Sequence, residues 1–171
     1  DPIRDKETID MELQLKDMET VEKRKDKINR AAKTGNKESQ KELEILKKII
    51  SSLERGENVR SIDFIKDDRT TYVKSLQLLT DKPVLYVCNV DENAAAKGNA
   101  YVEKVKTAIV KENCELLVMA VSIEADINEL ESYEERHLFL EDLELTEPGS
   151  AKLIRSAYNL LSLQTYFTAG E

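Results

Sequence analysis

Two apolar runs separated by a helical stretch constrain this chain more than any other feature. Pro83 through Val87 (PVLYV) carries no charge, lacks helical spacing and is rich in β-branched and aromatic residues, so it predicts a strand buried on both faces. Cys114 to Val121 predicts a second strand, and between the two Tyr101, Val102, Val105, Ile109 and Val110 fall at helical spacing. A helix joining two parallel strands is a βαβ unit with a right-handed crossover, which makes the fold class α/β. In open α/β sheets ligands gather beyond the carboxyl ends of the strands. The residues at those ends are Asn89, Val90, Asp91 and Glu92 after the first strand, and Val121 and Ser122 after the second.

Asn89 is the candidate with specific chemistry. A primary amide offers a donor and an acceptor side by side, which matches N6 and N7 of adenine and also reaches N7 of guanine. The plainer reading is an Asn that caps the loop after a strand. A second N-x-x-E, Asn128 to Glu131, lies in a helical pattern and follows no strand, so context separates the two copies. Ser122 reads by residue type as the N-cap of a helix from Ile123 to Leu130, with Glu124 and Asp126 near its positive end.

The first third of the chain predicts an antiparallel helical hairpin. Asp5 or Thr8 caps a helix running to about Lys33, with Ile9, Met11, Leu15, Met18, Val21 and Ile28 as a thin apolar seam. EKRKDK (22–27) is all charge, so this part is expected to project into solvent. Thr34-Gly35-Asn36 is the turn. Leu43, Leu46, Ile50 and Leu53 give the second helix, Lys37 to Arg55, a seam for its partner. The distal half is rich in cations: Lys23, Arg24, Lys25, Lys27, Arg30, Lys33, Lys37 and Lys41. Against a net charge of −8 and a pI near 4.9, this local surplus is the one place where a phosphate backbone such as RNA would be met. The plainer reading is a lysine-rich face that keeps the hairpin in solution. Asp67 or Asp68 then caps a helix to about Leu79, the crossover into the first strand.

Composition removes several classes of function. With 40% apolar and 35% charged residues the chain is globular, and it has no apolar run near the ~18 residues of a membrane helix and no signal peptide. Cys88 and Cys114 read as packed, reduced thiols of a cytoplasmic protein, and the lone His137 has no partner at ligand spacing, so no metal site is expected. No G-x-x-x-x-G-K-[ST] occurs, nor any Ser-His-Asp or Cys-His set, so no catalytic residue is assigned. Tyr133 to Leu143 predicts an amphipathic helix. After Pro148-Gly149, a last helix from Ser150 to about Thr165 is expected to turn Leu153, Ile154, Ala157, Leu160 and Leu161 inward.

The run PVLYVCNVDE, with DPIRDKETID before it and EPGSAKLIRSAYNLLSLQTYFTAG after it, closely resembles the Obg-like ATPases of the YchF family over the whole chain. The resemblance implies a middle piece of a P-loop NTPase: residues 1–66 as an inserted helical arm with its return segment, and residues 67–171 as the C-terminal part of the nucleotide-binding α/β domain. Gln164 to Glu171 would be the hinge to a TGS domain. It further implies a parent that binds and hydrolyses ATP, with GTP as the lesser alternative, and that associates with the ribosome or RNA. Mg²⁺ would be held by a P-loop segment that this chain lacks. GTPases of the translation-factor kind carry N-K-x-D where this chain has Asn89-Val90-Asp91-Glu92. The longer carboxylate of Glu92 and the lost Lys at Val90 predict adenine over guanine. Asn89, Val90, Glu92, Val121 and Ser122 are the base-site residues implied. A coiled-coil module without catalysis, binding the ribosome or another protein, is the alternative.

Overall fold

The computed structural model describes residues 1–110 and 112–169. They divide into two compact units, Asp1–Lys82 and a second that begins at Pro83.

The first unit is built on α1 (Pro2–Lys33) and α2 (Lys37–Glu54), packed antiparallel. The helix α1 starts earlier than the sequence suggested. Asp1 is its N-cap, accepting from the Ile3 N–H, and Pro2 is at home in a first turn where its missing N–H is not needed. Thr8 instead bonds back to the Arg4 carbonyl inside the helix. The hairpin turn is as expected. Gly35, at φ 91°, closes α1 with two reversed bonds, Gly35 N–H to Ala32 and Asn36 N–H to Ala31, and Asn36 then caps α2 through Ser39.

The seam of α1 differs from the expected one. Ile9, Met11 and Leu15 are exposed, and the buried face runs through Gln14, Asp17, Val21, Ile28 and Ala32. Position 17 follows 14 by three residues and precedes 21 by four, so the polar residues continue the same stripe as Val21 and Ile28. The charged 22–27 stretch is not without a core to face. Val21 is fully buried and Ile28 nearly so against Ile45, Leu46 and Ile49 of α2, while Arg24 reaches Glu42 of α2 at 2.6 Å. Burying each of these aliphatic side chains contributes about 1.5–3 kcal/mol. This is what holds the two helices together.

Residues 67–82 pack with the hairpin. In place of a regular crossover helix there is a short α3 (Lys66–Asp68), a π-helical stretch Arg69–Val73 and a 3₁₀ turn Lys74–Leu76 that ends at a left-handed Gln77. Val73 and Leu78 enter the hairpin core with Val59 and Ile62, whereas Leu79 stays partly exposed. Of the predicted stripe Tyr72, Val73, Leu76 and Leu79, the first three face that core; the left-handed Gln77 ends the regular winding and brings Leu78 inward in place of Leu79.

In the second unit β1 (Val84–Asn89) and β2 (Cys114–Met119) form a parallel pair in register Val84↔Cys114 to Asn89↔Met119. They are joined through α4 (Ala100–Ile109), which is capped by Asn99 and buries Val102, Val105 and Ile109. The expectation of a strand buried on both faces is not met: β1 is half-buried and Val87 is 45% exposed. Among the described residues the sheet has two strands, with α7 (Gly149–Leu160) packed on both and α4 on β2. Two helices more are α5 (Val121–Glu129) and α6 (Tyr133–Asp142), the latter opened by a Ser132/Glu135 capping box. The apolar face of α6 is narrower than expected: Leu140 is buried with Phe139 and Leu143 packed against the same core, and Tyr133 and Leu138 face solvent. The helix α7 stops a turn short of Thr165, at a left-handed Ser162, and leaves Ile154 and Leu161 exposed. Of the predicted hinge, Gly170 and Glu171 lie outside the described residues. No helix among those described is long and apolar enough to cross a membrane.

Candidate functional site

The carboxyl ends of the two strands meet at one hydrogen bond. Asn89 ends β1, and its Oδ1 accepts the Val121 N–H at 3.1 Å, thirty-two residues away, at the first turn of α5. Beside it the Val90 N–H donates to the Met119 carbonyl at 2.9 Å, carrying the ladder one step past the strands. Asp91 to Ala95 then fold into a 3₁₀ turn through Ala94 N–H to Asp91 and Ala95 N–H to Glu92. The result is an open depression of about 410 Å³ lined by Asn89, Val90, Asp91, Glu92, Asn93 and Ser122. Four of the five residues predicted for a base site thus line one hollow, and the fifth, Val121, is the one that Asn89 grips.

Two roles assigned from sequence are corrected by this geometry. Ser122 is not an N-cap: α5 begins at Val121 with Ala120 before it, and no side chain of its own caps it. The capping acceptor comes from Asn89 on the neighbouring strand. Nor does Asn89 cap its own loop. With one lone pair of Oδ1 taken by Val121, the amide N–H pair is what Asn89 offers a ligand outright, which suits an acceptor such as purine N7. Reading adenine N6 as well would use the second lone pair of Oδ1.

A second polar centre lies in the first unit and was not legible as a site. Asp17 is 2% exposed and accepts the Leu79 N–H at 2.8 Å, and the Thr80 N–H and hydroxyl both at 2.7 Å. Thr80, itself fully buried, accepts the Val59 N–H through its Oγ1 and the Arg60 N–H through its carbonyl. Gln14 donates to the Gly56 carbonyl and to Asn58, so the polar end of the α1 stripe holds down the segments 56–60 and 79–80. The signal was present in the sequence as Asp10, Gln14 and Asp17 prolonging the apolar face of α1. Asp81, next in line, pairs with Arg69 at 2.7 Å; burial raises its carboxyl above the ordinary range, with Arg69 pulling the other way.

The cations of the hairpin separate into two groups. Lys23 is held by Glu19, Arg24 by Glu42 and Lys41 by Asp68. The two lysines on Glu19, Lys23 foremost, hold that carboxyl down at about 2. Lys25 borders a shallow groove of about 370 Å³ with Asn29 and Lys47. Lys27, Arg30, Lys33 and Lys37 are exposed around the turn at 34–36. His137 is exposed, stacked on Tyr133 and 3.3 Å from Glu141. No cluster of three metal-ligating side chains occurs among the described residues.

No family model matches the chain. It is 46% identical over 173 residues to the ribosome-binding ATPase YchF of Bacillus subtilis (strain 168), with all of this chain and 47% of that protein covered. Against the protein of the same name from Escherichia coli O157:H7 it is 38% identical over 169 residues, with 99% of this chain and 46% of that one covered. In structure it matches the Schizosaccharomyces pombe YchF GTPase with a TM-score of 0.87 at 31% identity, covering 99% of this chain and 47% of that one. Along its whole length the chain is a YchF-family sequence. It spans about half the length of the curated YchF relatives it matches. The α/β fold, with a parallel βαβ pair and a helical hairpin, is therefore that of a YchF segment.

Proposed function

We propose that this chain supplies the base-recognition loops and the helical arm of a YchF-family protein that binds and hydrolyses ATP and associates with the ribosome. The observation that carries the reading is the Asn89–Val121 hydrogen bond, which draws both strand ends into one hollow lined by Asn89, Val90, Glu92 and Ser122. In this reading the hollow takes a purine, Asn89 donates to N7, and Glu92 stands where a guanine-specific site would have a shorter acid. The names of the relatives, ribosome-binding ATPases and a GTPase, support a nucleotide without choosing the base. The chain has no glycine-rich phosphate cradle, so the triphosphate and its Mg²⁺ are held by residues outside it. Residues 1–82 form the arm and its base, and the part from Pro83 belongs to the nucleotide-binding domain, with the segment from Gln164 leading towards a TGS domain. The exposed cations at the tip, Lys27, Arg30, Lys33 and Lys37, with Lys25 on the groove beside them, form the face turned to ribosomal RNA in the cytoplasm.

The test is made in a full-length YchF-family protein that carries this segment. Asn89→Ala should weaken nucleotide binding at least tenfold, and Val90→Lys with Glu92→Asp should move the ATP to GTP affinity ratio towards GTP. An unchanged ratio in the double variant, together with wild-type binding by Asn89→Ala, refutes the assignment.

A further inference from the structure

The first turn of α5 is held from two sides, and only one of the two holds belongs to the hollow. Val121 is gripped by Asn89. Three residues on, Glu124 turns away from the hollow and spans to the start of α7, its Oε1 accepting the Gly149 N–H at 2.5 Å and its Oε2 the Ser150 N–H at 2.9 Å. The residue before α7 is Pro148, which has no side-chain acceptor to offer those amides, so the cap of α7 is Glu124 itself. A carboxylate at this end also meets the positive pole of the helix. Gly149 is buried, and a Cβ there would stand 2.8 Å from Glu124 Oε1 and 3.0 Å from Met119 Cβ, so the carboxylate seats against a backbone with no room for a side chain. Ser122, which lines the hollow, lies between the two anchored residues, while Ile123 beside it is buried in the core.

We infer that Glu124 is a positioning residue for base recognition, setting the place of Ser122 and of the Val121 N–H by clamping α5 to the start of α7. The inference rests on the base-site reading given above. Glu124 touches no ligand; it acts through the helix turn whose other end meets Asn89. Loosening the clamp lets that turn shift by a fraction of an ångström, which hydrogen-bond distances in a recognition site do not absorb.

The experiment compares Glu124→Gln, Gly149→Ala and Asn89→Ala in a full-length YchF-family protein carrying the segment. Binding of ATP and of GTP is measured by calorimetry at a temperature where circular dichroism shows each variant folded. Glu124→Gln turns a donor towards one of the α7 amides, and Gly149→Ala pushes the carboxylate away with its charge intact. Both should weaken ATP binding by roughly tenfold and narrow the ATP to GTP discrimination, the part a purely structural cap would leave unmoved. Weaker binding by Asn89→Ala, with wild-type affinity and discrimination in the other two, overturns the role of Glu124 and leaves the base site standing. Wild-type binding by Asn89→Ala overturns both. If Glu124→Gln does not fold, Gly149→Ala decides alone.

Discussion

Replacing Asp17 is the sharpest test of how the first unit is held. Its carboxylate accepts three hydrogen bonds from Leu79 and Thr80 at 2.7–2.8 Å, in a place where Thr80 is inaccessible to water. Asp17→Ala strands two backbone donors and a hydroxyl, and each unmade buried bond costs about 1–3 kcal/mol. Leu79 sits at the rim and recovers part of its loss from solvent, which puts the total at about 3–5 kcal/mol. Asp17→Asn keeps one oxygen but turns an amide N–H towards a donor, so about 2 kcal/mol is expected. Leu15→Ala, on the exposed side of the same helix, should stay within about 0.5 kcal/mol. Urea unfolding of the 171-residue chain measures the differences, and amide exchange locates them: protection at Leu79 and Thr80 should fall in Asp17→Ala well before that of Leu46 or Ile49. A cost below about 1 kcal/mol for Asp17→Ala, or unchanged protection at those two amides, refutes the argument.

Acidification should act through Glu57, whose carboxyl is lowered to about 2, first by Arg55 and then by the Ser52 hydroxyl. A depressed carboxyl stabilises the fold above its unfolded value and loses that contribution as pH falls through the folded one, so any difference in melting temperature between wild type and Glu57→Gln at pH 6 should shrink steadily as pH falls towards 2. Ser162→Gly should raise stability by about 0.5–1 kcal/mol in thermal unfolding, because Ser162 is held at φ 53°, where glycine has no Cβ to strain. Reversing Lys27, Arg30, Lys33 and Lys37 to Glu in a full-length family protein should weaken ribosome co-sedimentation in a salt-dependent way, while reversing the Glu-bound Lys23 should change it less.

The sequence made some of this legible and hid the rest for identifiable reasons. Four helices, α1, α2, α6 and α7, end in the same pair of reversed bonds around one left-handed residue. In two of them the residue is Gly35 or Gly56, and the helix ends at 33 and 54 were readable to within a residue. In the other two it is Glu144 or Ser162, residue types that announce nothing, and the end of α7 was misplaced accordingly. The hollow at the strand ends was legible because apolar runs place strands, though not their last residues: β2 stops at Met119, and Val121, read as its end, is the first residue of α5. What joins its two sides was not, since an Asn on one strand capping a helix that follows the other is a contact across thirty-two positions. The break at Gln77 was hidden too: a left-handed Gln announces nothing, and it puts Leu78 inward where the regular period of Tyr72, Val73 and Leu76 led to Leu79.

The polar residues buried among the aliphatics of the hairpin carry a consequence of their own. Leucine and isoleucine would accept α1 sliding past α2 by a turn with modest loss, since one greasy side chain substitutes for another. Gln14 and Asp17 would not, because their partners stand at fixed places, Gly56 and Asn58 just past α2 and Leu79 and Thr80 on the returning segment. The long helix α1 is thus keyed like a ruler with notches, and its offset along the unit is set where those notches engage.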